Sequence, residues 1–534
     1  MDERVFNVLG SRVGWELPAW VLGIERSALV SVLAYEPFAL GDDEGRALHD
    51  AFELTGDVAL DSHRDLIAQA VARDDNGDVR AVAARERFTG LAHECPDTDD
   101  ELVRALFELA RDLYPGLLAR WPGLYVEVHR EALATAAESA PAFSNAVSLL
   151  AYELRFIPSD DRPTDDAGRR ANVETLDGVG EQLDAWRLPL RVLETSTKRV
   201  IARGGTLTPG ELYEQVAHDI DELRDLAAGR RRNIPVVVVI RGVGLAEDQR
   251  ADLNTYGILR PPHAREKATV PNDMTAGRST VMLQRTRQVG LVVVQPPGSG
   301  MKFNPEHWNE HPDVQAAELA AFACVVAPER EVPCSATVLY PITLYPLGLR
   351  NGFPSALQRG TGWRSNVLTD EEIVAIERFA SRLRQHHHES VAISVRRLLS
   401  SLARDDAEDG LIDAVMVWEN LVGAENETTF RVTAALALLL ETDPARRAVA
   451  LRTFRAVYNC RSKVVHGAQL PANTSLAKMR RIATETAVAA LRRLYSDFPE
   501  LLSDQRRGTR LLLGDLPALP AAAAAPEPSA AEEI

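Results

Sequence analysis

Residues 411–422 read Leu-Ile-Asp-Ala-Val-Met-Val-Trp-Glu-Asn-Leu-Val, apolar almost all the way round a helix and broken only by Asp413, Glu419 and Asn420. A helix without a solvated face cannot lie at a surface and has to be surrounded by others. The neighbouring periodicities supply those surroundings. Thr369-Asp-Glu-Glu372 is a capping box opening a helix whose apolar stripe is Ile373, Ile376, Phe379, Ala380 and Leu383. Val391, Val395, Leu398, Leu399 and Leu402 form a second stripe, and Phe430–Leu440 a further helix. Asp443-Pro444 caps a helix running towards Gly467, and Leu476, Met479, Ile482, Val488, Leu491 and Tyr495 mark the last one. Residues 368–500 are therefore expected to form an all-α bundle around 411–422.

The remainder reads differently. A chain of 534 residues is too long for one core, and about two to four domains are expected. Residues 1–228 read as a mixed, mostly helical region. Leu102, Val103, Leu106, Phe107, Ala110 and Leu113 keep helical spacing, and Thr208-Pro209 is a cap followed by a first-turn proline. Leu124–Val128 and Leu154–Ile157 read as short strands, and the acidic stretches Asp97–Glu101 and Ser159–Asp166 as loops. From 229 to 350 a small β-rich domain is expected, with runs at Val236–Ile240, Thr280–Gln284, Gly290–Val294, Phe322–Val326 and Ala336–Leu339. The glycine-bearing turn after Ile240 and the loop Pro296-Pro-Gly-Ser-Gly300 match neither a P-loop nor a dinucleotide fingerprint and read as turns. Residues 351–367 read as a linker, and 501–534, rich in Ala, Pro and Glu, as a low-complexity disordered tail. The expected class is multidomain α+β.

No apolar run follows Met1-Asp2-Glu3-Arg4 to make a signal peptide, and Pro235–Ile240 is far too short to span a bilayer. Cys95, Cys324, Cys334 and Cys460 make neither a disulfide framework nor a zinc pattern. His386-His387-His388 cannot converge on one ion from a helix, where successive residues point about 100° apart; they read as a solvated helix end. A cytoplasmic protein with no metal and no cofactor is the expectation.

The net charge of −17 would repel a phosphate backbone, but it is unevenly spread. Between Pro444 and Arg493 stand eleven basic residues: Arg446, Arg447, Arg452, Arg455, Arg461, Lys463, Lys478, Arg480, Arg481, Arg492 and Arg493. Glu485 is the single acidic residue among them, so the stretch carries +10 and the rest of the chain −27. Residues 1–367 hold −15 of that, and an acidic front covering the basic segment is one expected mode of control. Solvated helix faces are the plainer reading for many of these arginines.

Within this stretch lies Tyr458-Asn-Cys-Arg-Ser-Lys-Val-Val-His-Gly467. Arg461 and His466, four residues apart in between, set a permanent cation beside a group that titrates near neutrality. Ala450, Phe454, Val457, Tyr458 and Arg461 share one helix face, so Arg461 belongs to a buried or interface stripe and needs an acidic partner or a function. His466 lies about 140° further round an ideal helix, and Gly467 can end that helix in a left-handed conformation. Glu419, nearly alone among apolar neighbours, is the candidate partner of Arg461 or of the imidazole. Taken alone, these residues read first as an internal salt bridge, with Glu419 neutralising Arg461, and a helix-end cation at His466.

Three blocks in order, Ser394-Val-Arg-Arg-Leu398, Leu411–Leu421 with its Glu419, and Tyr458–Gly467, resemble the ApeA-like branch of the HEPN family over about residues 370–495. The resemblance implies a C-terminal HEPN helical bundle and a metal-independent endoribonuclease that cuts by attack of the RNA 2′-hydroxyl. In that reading Arg461 and His466 are catalytic, with His466 moving a proton and Arg461 holding phosphate. Ser462 and Glu419 support them, and Lys463, Arg455 and Arg452 bind RNA. The implied partners are tRNA or mRNA and a second copy of the chain, with two Arg-x4-His pairs facing across a two-fold interface. The implied role is that of a toxin or anti-phage defence effector. The alternative is a non-catalytic HEPN module that binds RNA or protein. Some HEPN toxins are silenced by nucleotidylation of a tyrosine two positions after the histidine; here Ala468 stands there, and that control is not expected.

Overall fold

The computed structural model describes residues 3–26, 28–29, 41–53, 63–119, 130–154, 170–175, 180–263, 266, 280–295, 312–348, 366–423, 428–470 and 475–514. Eight helices come first: α1 (Glu3–Val13), α2 (Glu16–Leu22), α3 (Asp42–Phe52), α4 (His63–Val71), α5 (Arg80–Thr89), α6 (Glu101–Leu118), α7 (Arg130–Ser139) and α8 (Phe143–Glu153). With α9 (Leu188–Ala202) and α10 (Pro209–Ala227) they enclose a first core in which Leu9, Leu17, Leu48, Leu66, Leu106 and Ile220 are fully buried. The caps are those legible in the sequence. Asp100 ends an acidic loop by accepting the Leu102 and Val103 amides, and Thr208 and Glu211 form a reciprocal capping box ahead of Pro209.

Two antiparallel sheets follow. The strands β1 (Arg170–Thr175), β2 (Gly180–Asp184) and β7 (Leu291–Gln295) make a ribbon in the order β2-β1-β7. The larger sheet has β3 (Arg232–Arg241) between β6 (Thr280–Val289) and β8 (Thr337–Thr343), with β5 (Ile258–Arg260) and β4 (Ala251–Asp252) beyond β6. The unbroken apolar run of β3 follows from burial on both faces. Val237 and Val239 lie in a small cluster with Ala202, Met282, Leu339, Ile342 and Leu344. Val236, Val238 and Ile240 enter a second, larger core. Pro341 is accommodated because β8 is an edge strand, where its missing donor is tolerated.

That second core is shared. The helix α11 (Pro312–Val326) lies between the sheet and the bundle, and the Phe322 ring sits 5.9 Å from both Phe379 and Tyr495. Around it pack α12 (Asp370–His386), α13 (Ala392–Ala403), α14 (Ala407–Val422), α15 (Thr428–Leu440), α16 (Pro444–Val465), α17 (Leu476–Asp497) and α18 (Arg507–Leu513). As its composition requires, α14 is central. Trp418 is fully buried, and its indole N–H donates to the Ala483 carbonyl at 3.0 Å. No helix among the described residues is long and apolar enough to cross a membrane.

Several expectations need correction. Phe322–Val326 is the end of α11, not a strand; an Ala-rich segment buried all round gives the same continuous apolar run as a buried strand. The packed bundle does not stop at 500. Leu501, Leu502 and Leu511 belong to the second core, and the Arg507 guanidinium is buried against the carbonyls of Leu501, Leu421 and Leu502. His387 is not solvated: it stacks on Tyr495, and its Nδ1 lies 2.7 Å from the tyrosine hydroxyl. Burial accordingly pushes the His387 pKa down. The turn after Ile240 is structural. Gly242 has φ +99°, and a Cβ there would come within 2.1 Å of the Ser335 carbonyl oxygen. The strand expected at Leu124–Val128, the loops at 159–166 and 296–300, residues 351–365 and the tail from 515 lie outside the described residues. Leu154 closes α8, and 155–157 also lie outside.

Candidate active site

Helix α16 is long but shallowly seated. Of its 22 residues only Phe454, Val457, Tyr458 and Cys460 are buried, with none before Phe454. The face carrying them rests on α14, with the Phe454 ring 5.5 Å from Trp418. Tyr458 and Arg461, three residues apart, consequently meet Glu419 of α14. The Tyr458 hydroxyl donates to Glu419 Oε1 at 2.6 Å, and Arg461 Nη2 donates to Oε2 at 3.3 Å. Burial, then the hydrogen bond and charge of Glu419, push the Tyr458 pKa up, so the phenol remains a donor.

The cluster is open to one side. The Arg461 and Glu419 side chains retain 21% and 27% of their exposure. Arg461 Nε is buried without an acceptor, and among the described residues Nη1 has none either. One nitrogen of three is therefore engaged.

At the C-terminus of α16, His466 is the capping residue and Gly467 takes φ +64°. The Gly467 amide donates to Val464 O at 3.1 Å and the Ala468 amide to Lys463 O at 2.9 Å, closing a Schellman motif. The His466 ring is exposed and makes no hydrogen bond, ion pair or ring contact among the described residues. Ser462 serves His466 only through its backbone, whose carbonyl accepts the His466 amide at 3.1 Å. The fold joins Glu419, Tyr458 and Arg461 by hydrogen bonds, and the His466 ring makes none with them.

The basic stretch divides in two. Arg447 donates to the Glu441 and Thr442 carbonyls, Arg480 to Ser401 and Arg404, and Arg492 to Val326 and Pro328. Arg481 pairs with Glu485 and Arg493 with Asp497. These five are engaged within the chain, Arg480 and Arg492 across elements and Arg481 and Arg493 along their own helix. Arg452, Arg455 and Lys463 are exposed, and among the described residues neither Arg452 nor Lys463 has a side-chain partner. Arg455 lies over the Phe430 ring, 5.3 Å from its centroid. In the basic run at 230–232, Arg230 and Arg232 are both held by Asp225.

The three sequence blocks meet in space. Ser394 Oγ donates to Asn420 Oδ1 at 2.5 Å, Arg397 to Asp413 at 2.7 Å, and the Glu419 cluster adds the third. Two participants escaped the sequence reading: the Tyr458 hydroxyl, although its three-residue offset from Arg461 was visible, and Phe430, which no local pattern sets beside Arg455. Among the described residues no group of three or more His, Cys, Asp or Glu is arranged to hold a metal ion. No model of a known family, no curated protein and no solved structure matches this chain.

Proposed function

We propose that this chain is a metal-independent endoribonuclease of HEPN type, cytoplasmic and dimeric, serving as a toxin or an anti-phage effector on tRNA or mRNA. The observation carrying this reading is the state of Arg461: a half-buried guanidinium fixed through one nitrogen by a carboxylate whose other oxygen belongs to Tyr458. Such a group is oriented yet keeps donors for a phosphate. Further support comes from the exposed, unengaged His466 ring and from the meeting of the three blocks on which the resemblance rests.

In the reaction the 2′-oxygen bonds to the adjacent phosphorus and the bond to the 5′-oxygen breaks. The 2′-hydroxyl proton is taken up and a proton is delivered to the leaving 5′-oxygen; His466 serves one of these transfers, and Arg461 balances charge on the non-bridging oxygens. On an ideal helix Arg461 and His466 leave α16 about 140° apart. A second copy supplying the complementary group across a two-fold axis resolves that divergence. No apolar residue of α14 is fully exposed, and only Ile412 and Met416 among its larger apolar side chains are partly so. Val449 and Val465 of α16 are the exposed large apolar residues available to such an interface.

Purified protein should cut RNA in EDTA, leaving a 2′,3′-cyclic phosphate and a 5′-hydroxyl. Arg461→Ala should lower the rate by about 10²–10³-fold and His466→Ala by about 10²–10⁴-fold, by analogy with other charge-stabilising and proton-transfer groups. No cleavage by the wild-type protein across tRNA and mRNA would refute the proposal. The Glu419–Arg461 pair itself favours a second reading, a non-catalytic module binding RNA or protein. In that case the two variants bind as the wild type does, and no cleavage accompanies binding. Light scattering at micromolar concentration tests the dimer.

A further inference from the structure

Arg452, Arg455, Asn459, Lys463 and His466 are all exposed. On an ideal helix they fall within an arc of about 80° and span roughly 21 Å along α16, one group every three or four residues. The helix contains no acidic residue, so its exposed stripe is of one sign. Phe430, 50% exposed on the neighbouring α15, lies against this stripe with the Arg455 guanidinium over its ring. A large exposed ring carrying a planar cation is the arrangement on which an unpaired nucleobase stacks, while flanking cations follow the phosphates.

We infer that Phe430 and Arg455 form a nucleobase-stacking platform, and that the chain takes RNA which is single-stranded where it crosses α16. The inference rests on the endoribonuclease reading and adds the substrate class. A duplex keeps its bases paired and offers only phosphates and grooves, so it could use Arg452 and Lys463 but not the ring. Charge complementarity favours RNA over an apolar protein occupant, which would have to bury Arg452, Lys463 and Asn459 among unsatisfied donors. The exposed ring, which an acidic protein surface would leave unused, favours a nucleobase.

The test uses the full chain with His466→Ala to keep RNA intact. The probes are an unstructured RNA oligonucleotide containing 2-aminopurine and a blunt RNA duplex of the same length. Phe430→Ala should weaken the single strand by roughly ten- to hundred-fold, the range for losing one stacked base. It should also abolish the quenching of 2-aminopurine and leave duplex affinity unchanged. Phe430→Trp should preserve both properties. Arg452→Gln and Lys463→Gln should weaken both probes, each lowering the salt slope on the single strand by about 0.7. Unchanged single-strand affinity in Phe430→Ala, or equal loss on both probes, overturns the platform. Cleavage that needs Arg461 and His466 but ignores Phe430 would leave the enzyme reading standing without it. Stacking without cleavage by the wild type would do the reverse, and binding to neither probe, with α16 engaging a protein instead, rejects the platform.

Discussion

Arg199 in the first core and Arg461 in the bundle each face carboxylates, but one arrangement is closed and the other open. The Arg199 site is closed to solvent though not fully satisfied: Nε donates to the Leu344 carbonyl at 2.8 Å, Nη1 bonds both Asp219 and Glu222, and among the described residues Nη2 is buried without a partner. Asp219 also accepts from Ser196 Oγ and Gln215 Nε2, each at 2.6 Å, and is completely buried. Arg461 has one bond of 3.3 Å and keeps a route to solvent. Closed polar networks fix a core, because no water can replace a lost partner; open ones keep capacity for something that arrives later.

The largest expected effect follows from that closure. Arg199→Met leaves two carboxylates facing each other in the first core, and removal of one member of a buried pair costs about 3–5 kcal/mol. Urea denaturation followed by tryptophan fluorescence measures it. A loss under about 1 kcal/mol would mean that the network opens to water and would erase the contrast with Arg461.

His93 sharpens the comparison through pH. Its ring lies among Trp20, Tyr114 and Tyr213 at centroid distances of 5.5, 5.2 and 6.3 Å, and Nε2 is buried without a partner. Burial, with Arg85 and Arg111 adding repulsion, lowers its pKa from 6.5 to about 4. The unfolded chain therefore binds more protons between those values, and stability rises with pH across that window. It is complete above about pH 6.5 and falls by on the order of 3 kcal/mol towards pH 4. In His93→Phe this component should vanish, leaving a shallower dependence set by the carboxylates. Identical pH curves for the two proteins would contradict the assignment.

What could be read from the sequence followed from how local each cause is. The caps at Thr208, Thr369 and Asp443, the strand runs of β3 and β6 and the all-round apolarity of α14 depend on residues a few positions apart, so they were visible. Pairing of Glu419 with Arg461 was also foreseeable, since an isolated carboxylate and an inward arginine each need a partner. The shared core was not. Only the tertiary fold brings Phe322 to Tyr495 or carries Arg492 to the end of α11. The same holds for the arginines: Arg452 and Arg480 look alike in the chain, and whether carbonyls or solvent meet them is decided by elements distant in sequence. One consequence concerns the acidic front. A fragment spanning 368–500 would expose Phe379 and Tyr495 and lose Arg507, so control by the front half has to be tested by charge reversal in the full chain.

A smaller effect is expected at the end of α16. Gly467 has φ +64° with open space around its Cβ position, so Gly467→Ala meets no clash and costs only the left-handed backbone, about 1–2 kcal/mol. Thermal unfolding should register that loss. If His466 acts from this terminus, cleavage should fall further than stability does, because the variant shifts the imidazole while the Glu419–Tyr458–Arg461 cluster stays intact. Equal activity would remove His466 from the mechanism.

The smallest change in stability is expected where the largest change in activity is claimed. Arg461→Met removes a single long bond at a site water can reach; Glu419 Oε1 keeps the Tyr458 hydroxyl, and Oε2 can be hydrated. The cost should lie within about 1 kcal/mol, the range of solvent-accessible ion pairs. His466→Ala removes an exposed ring with no side-chain partner and should shift stability by no more than about 0.5 kcal/mol. Both variants should therefore fold, melt and associate like the parent while losing cleavage. A loss above about 2 kcal/mol for Arg461→Met would assign the residue to the same class as Arg199, a strut of the fold, because only an arginine whose partner is stranded by its removal carries that much.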